Sequence, residues 1–177
     1  MVLLDWKKID SLIKSRSDSI PVNDLLDLVS TGEKNAVSRV ARMYRDGVIF
    51  TKDVNLAIDM MRECVSEVPW AHIELSNMLI KRGRESDYEE AVQLLSKFGD
   101  ENSMMILGKL YRDGSGVKQD LNRSVELLTV ASEKVPWAKI ELAESLLKRN
   151  RGQDINDAIS ILKSQNTGHA HYRLARI

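Results

Sequence analysis

Cysteine is almost missing from this chain of 177 residues. Cys64 stands alone, which excludes an internal disulfide and suits a reducing compartment such as the cytoplasm. Net charge is missing too: 26 lysines and arginines balance 26 aspartates and glutamates, so no global basic field is available to gather nucleic acid. With three prolines and nine glycines, the chain is too poor in breakers to be a linker or a disordered tail. No window approaches the ~18 apolar residues of a membrane span. The start, "MVLLDWKKIDSLIK", meets charge at Asp5 and Lys7, unlike a secretory signal. Histidines number three. His169 and His171 are two apart, which sets them on different sides of a helix, whereas ligand pairs on a helix want three or four.

The composition that remains is globular, with 43% hydrophobic and 29% charged residues, enough apolar material for one core or a row of small ones. Two phrases stand out: "VPWAHIELSNMLIKRG" at 68–83 and "VPWAKIELAESLLKRN" at 135–150 hold two of the three tryptophans. A shift of 67 superposes 44–83 on 111–150 with 16 of 40 positions identical, including both "YRDG" segments, Asp53/Asp120 and Asn55/Asn122. A fixed period of this kind marks a repeat architecture.

The 67-residue unit divides further. Small residues that open one set of helices fall at Ala36, Ala71, Ser103, Ala138 and Ala170, in steps of 35, 32, 35 and 32. Small residues inside a second set fall at Ala57, Ala91, Ser124 and Ala158, in steps of 34, 33 and 34. The pattern predicts four helical hairpins, alternately long and short, and the start of a fifth. Leu107–Gly108–Tyr111 and Val40–Ala41–Tyr44 share a spacing in which the small residue admits a neighbouring helix and the tyrosine packs one turn later. Gly47 and Gly114 are placed as left-handed C-caps. Asp53 and Asp120 are placed as N-caps, and Asp87 with Glu90 as a capping box. Leu56, Met60 and Met61 form one expected apolar stripe; Leu121, Val125, Leu127 and Leu128 form another. At the N-terminus Leu3, Leu4, Ile9, Leu12 and Ile13 share an amphipathic face. "SRSDSIP" at 15–21 reads as a loop, and "VNDLLDLVS" as the second helix of a degenerate unit. No strand pattern appears, and no domain boundary after about residue 20. The expected division is 1–34 as N-terminal helices, a degenerate repeat or cap, and 35–177 as the repeat array.

The stretch "SMMILGKLYRDGSGVKQDLNRS" at 103–124 resembles the Sel-one-like repeats, which are α/α solenoids related to tetratricopeptide repeats. The likeness covers 36–177 and is strongest in the first and third units. The second departs from it, with Ser76 in place of the small glycine and Leu79 in place of the tyrosine. The resemblance implies an all-α fold, a right-handed α/α superhelix of stacked antiparallel hairpins, and a protein–protein interaction scaffold rather than an enzyme. Alternation of "YRDG" and "VPWAxxEL" units also looks like repeats appended to microbial cell-surface glycan or polyol-phosphate transferases. That likeness implies the alternative reading of an accessory domain that binds acceptor or substrate. The array ends at "HAHYRLARI", where Leu174–Ala175 open a fifth unit. Because solenoids finish on a polar cap, this end reads as a fragment of a longer protein or as a surface for self-association.

Catalytic signatures are missing. "RDGSGV" lacks the further glycine or lysine of a dinucleotide or phosphate loop, and its glycines read as turn residues. Cys64 lies in an apolar-periodic run with no histidine nearby and reads as a buried thiol. Glu89 and Glu90 sit at a helix start, where they complement the dipole. The expectation is no catalytic, cofactor or metal site. What remains is the face of the first helices, which lines the groove in tetratricopeptide-like arrays. The 3, 4, 3 spacing assigns to it Arg42 and Arg45 with Asn35 and Ser38, then Trp70, Ile73 and Asn77 with Ile80. It continues with Met105, Lys109 and Arg112 beside Asn102, then Trp137 and Ile140 with Glu144 and Leu147, then Tyr172 and Arg176 with His169. Arginine offers paired donors to carboxylates and tryptophan an anchor, so the expected partner is a protein or peptide with acidic and apolar side chains. The competing reading ties Arg45 and Arg112 to Asp46 and Asp113 and packs both tryptophans between helices.

Overall fold

A computed structural model describes residues 4–165 and 167–177. The predicted contribution of Leu3 to the N-terminal face lies outside the described residues. Among the described residues the secondary structure is helical throughout, in eleven segments. They are α1 (Trp6–Lys14), α2 (Val22–Ser30), α3 (Lys34–Asp46), α4 (Val54–Arg62), α5 (Ala71–Arg82), α6 (Glu85–Phe98), α7 (Glu101–Asp113), α8 (Leu121–Ser132), α9 (Ala138–Arg149), α10 (Asp154–Ser164) and α11 (Gly168–Leu174). The chain packs as two compact units, Met1–Arg82 and Gly83–Ile177, a division that the unbroken helical pattern of the sequence does not signal.

Local chemistry sets the helix ends. Gly47 and Gly114 close α3 and α7 in the left-handed conformation, with φ of 65° and 73°. The side chains of Asp53 and Asp120 accept from backbone amides at the starts of α4 and α8, which satisfies donors that have no partner within the helix. The Asp87–Glu90 box is corrected. The helix begins earlier, at Glu85, and Asp87 is its buried third residue, accepting from the Arg84 amide at 3.4 Å. The predicted loop at 15–21 separates α1 from α2.

In the first unit α3 packs on α2 and α4, and α4 on α5. Its core joins Ile9, Ile13, Ile20, Leu25, Val40, Met43 and Val48. The α4 stripe differs from the expected one. Leu56 is exposed, and the residues turned inward are Ala57, Ile58 and Met61, because the small residue faces the neighbouring helix and carries its i+1 and i+4 positions with it. In the second unit α7 packs on α6, α8 and α9, α9 on α8 and α10, and α10 on α11. All nine small residues of the predicted period, from Ala36 to Ala170, are 0% exposed. Where α7 meets α8, a Cβ on Gly108 would come within 2.5 Å of Leu128 Cγ. The Ser124 hydroxyl donates to the Gly108 carbonyl at 2.7 Å and lies 2.8 Å from the Ser145 hydroxyl, which links α7, α8 and α9 inside the core.

Candidate partner-binding face

In the first unit the face is built on α1, α3 and α5. Arg39 and Arg42 stand one turn apart on α3 and share one carboxylate, that of Asp10 on α1, at 2.9 and 2.8 Å. Arg39 is 4% exposed. Its guanidinium lies 4.6 Å from the Trp6 ring and 5.6 Å from that of Trp70, and Arg42 covers the same Trp70 ring at 5.7 Å. Trp70 is therefore half-buried under two cations. Arg45 forks onto Asp46 at 2.8 and 2.6 Å and also pairs with Glu74 on α5. The hydrogen bonds with Asp46 raise the Arg45 pKa against the opposing effect of burial, and they lower that of Asp46. Ile73 is half-buried and Asn77 exposed.

The second unit repeats this network with a changed cast. Arg112 is 8% exposed. It donates to Asp113 at 3.0 Å, Glu141 at 2.8 Å and Glu144 at 3.1 Å. Burial works against its charge, and the bonds to Asp113 and Glu141 outweigh it, so its pKa is raised. Glu141 is likewise held below its ordinary value, despite burial, by Lys109 and Arg112. Lys109 reaches Glu141 at 2.9 Å. Glu144 also takes Arg173 and, at 3.6 Å, His169. Just beyond α11 the Arg176 guanidinium donates to the hydroxyl of Tyr172, on α11, at 2.8 Å and lies 5.4 Å from its ring. Met105 is half-buried and Ile140 buried. Trp137 stands out at 67% exposed.

No protein-family model matches the sequence, and no curated protein matches it. Solved structures do. One is a Sel1 repeat protein from Oxalobacter formigenes, 19% identical, with a TM-score of 0.75 over 97% of this chain and 74% of the other. Another is a protective antigen of uropathogenic Escherichia coli that displays an SLR fold. It is 17% identical, with a TM-score of 0.77 over 93% of this chain, which spans 39% of its length. The chain has the Sel1-repeat fold. It is an α/α solenoid fold, as the helical period requires.

Within the Sel1-repeat frame, the structure accounts for the identities in the duplicated phrases. Arg45/Arg112, Asp46/Asp113 and Glu74/Glu141 are each the same residue 67 positions apart, and each set forms the same ion-paired cluster. Reading one helical face by its spacing included Glu144 but passed over Glu74, Glu141, Asp10 and Arg39. The signal available was a glutamate retained in both copies of "WAxxEL" at the same interval, 29 residues, from a retained arginine. Among the described residues, no three histidine, cysteine, aspartate or glutamate side chains converge as for a metal. No described helix is long and apolar enough to cross a membrane.

Proposed function

We propose that this Sel1-repeat chain is a protein-interaction scaffold. In the second unit the contact surface is the α7–α9–α11 face, centred on Trp137 with Met105 and Tyr172. The observation that carries the reading is the 67% exposure of Trp137. A large, rigid aromatic side chain left in water is the type of residue that anchors protein interfaces. The reading is of a binding module, not an enzyme.

The electrostatics shape what this face prefers. Lys109 and Arg112 are already bound to Glu141, Glu144 and Asp113. A polyol phosphate or a strongly acidic peptide must break those pairs before it can use the cations. That favours the scaffold over the accessory glycan domain, although a sugar ring could also stack on an exposed tryptophan.

A photo-crosslinking residue placed at 137, and separately at the exposed Val130 of α8, tests the reading in the producing cell. Defined protein adducts at 137 but not at 130 are expected. Equal labelling at the two sites, or labelling of glycan alone, overturns it.

A further inference from the structure

Trp70 and Trp137 stand in the same four-letter phrase, "VPWA", yet one is covered and the other 67% exposed. The residues over Trp70 come from the first helix of the preceding hairpin, α3: Arg39 at 5.6 Å and Arg42 at 5.7 Å. Sixty-seven positions later α7 carries Ile106 and Lys109 instead. Ile106 is buried in the core, and Lys109 is drawn to Glu141 at 2.9 Å. Among the described residues, no cation lies over the Trp137 ring.

We propose that Trp137 is a receptor for a basic side chain, foremost an arginine, supplied by a partner polypeptide. The first unit shows what this position of the fold accepts: a guanidinium laid on the indole, an arrangement favoured by the negative face of the ring. Trp137, Glu141 and Glu144 stand at i, i+4 and i+7 on one helical stripe. Both glutamates are already ion-paired, Glu141 with Lys109 and Arg112 and Glu144 with Arg112 and Arg173, so the occupant is read from the guanidinium–indole packing of the first unit and not from charge. The inference rests on the scaffold reading and narrows it to a partner class.

A random heptapeptide library panned on the immobilised full chain, with counter-selection on Trp137→Ala, separates the two readings. Trp137 is exposed, so the alanine variant keeps the fold, which an unchanged thermal midpoint verifies. Enrichment of sequences with a recurring arginine or lysine is expected. Trp137-dependent enrichment of apolar or acidic sequences without a recurring base overturns the basic-side-chain receptor and leaves the scaffold standing. No Trp137-dependent enrichment overturns both. For the best peptide, replacing its recurring base by norleucine should weaken binding roughly two- to fivefold to the wild type, the range for an exposed cation–π contact. The same replacement should leave binding to Trp137→Ala unchanged. An equal loss with both proteins overturns the stacking role.

Discussion

Arg112 on α7 donates to Glu141 on α9 at 2.8 Å, and Arg45 on α3 pairs with Glu74 on α5 in the same way, 67 residues earlier. The pair ties together the first helices of successive hairpins and accounts for the arginine of "YRDG" and the glutamate of "WAxxEL" in both copies. The Arg112 side chain is 10% exposed and that of Arg45 is 23% exposed, so the two copies should differ in energy. Removing one partner of a buried pair strands the other charge, whereas a wetter pair is screened. Arg112→Ala should cost about 2–3 kcal/mol of stability and Arg45→Ala about 1 kcal/mol. A double-mutant cycle with Glu141→Gln in urea should give a coupling of about 1–2 kcal/mol. Additive effects would mean that the pair contributes only geometry.

The loop after "YRDG" contains a mismatch between copies. Gly116 has φ 69° and Ile49, its counterpart, φ 66°. That region is costly for a β-branched residue, by about 1–2 kcal/mol. Ile49 is half exposed, so little packing offsets the strain. Ile49→Asn, which tolerates the left-handed region, should raise stability by about 0.5–1 kcal/mol. The reverse change is forbidden by contact: a Cβ on Gly116 would lie 2.4 Å from Tyr88 Cβ. Gly116→Ala should lose about 2 kcal/mol or more. Chemical denaturation of the two variants checks both signs.

Cys64 is fully buried, and its thiol donates to the Met60 carbonyl at 3.3 Å. Burial pushes its pKa up to about 11, and the thiolate is the reactive form. The folded protein should resist a disulfide-exchange reagent at pH 8, while the denatured chain should react within minutes. Stoichiometric labelling in native buffer at the denatured rate would contradict the buried site.

Asp154 accepts from Nε and Nη2 of Arg149 at 2.8 and 2.6 Å and from the Arg151 amide at 2.9 Å. The Arg149 hydrogen bonds dominate and hold its pKa at about 2, below the ordinary 3.8. A depressed carboxylate contributes stability in full above its ordinary pKa and loses it as pH falls through the folded value. Wild type should therefore melt above Asp154→Asn at pH 6, the gap should close between pH 4 and 2, and the midpoints should converge below that. A gap constant across the range would show that charge is not the source.

Much of this fold is written in short-range terms. Ala36, Ala71, Ser103, Ala138 and Ala170 were legible as helix-contact positions because a solenoid repeats the same local environment, and a small residue is needed each time backbones approach. Asp53, Asp120, Gly47 and Gly114 were legible as caps because capping depends on neighbours in sequence. The candidate face was half legible. Helical spacing could list Arg42, Lys109 and Arg112, but it could not say which carboxylate each would meet, because those partners lie 29–32 residues away on another helix.

The sequence by itself determined the period, the helical hairpins and their ends, since these follow from side-chain size, cap chemistry and repetition along one chain. Only the tertiary structure decided the fate of two identical "VPWA" phrases. Trp70 lies under Arg39 and Arg42, and Trp137 stands 67% exposed. What covers a ring is set by the residues that the first helix of the preceding hairpin brings across it, and here those residues differ while the phrase itself does not.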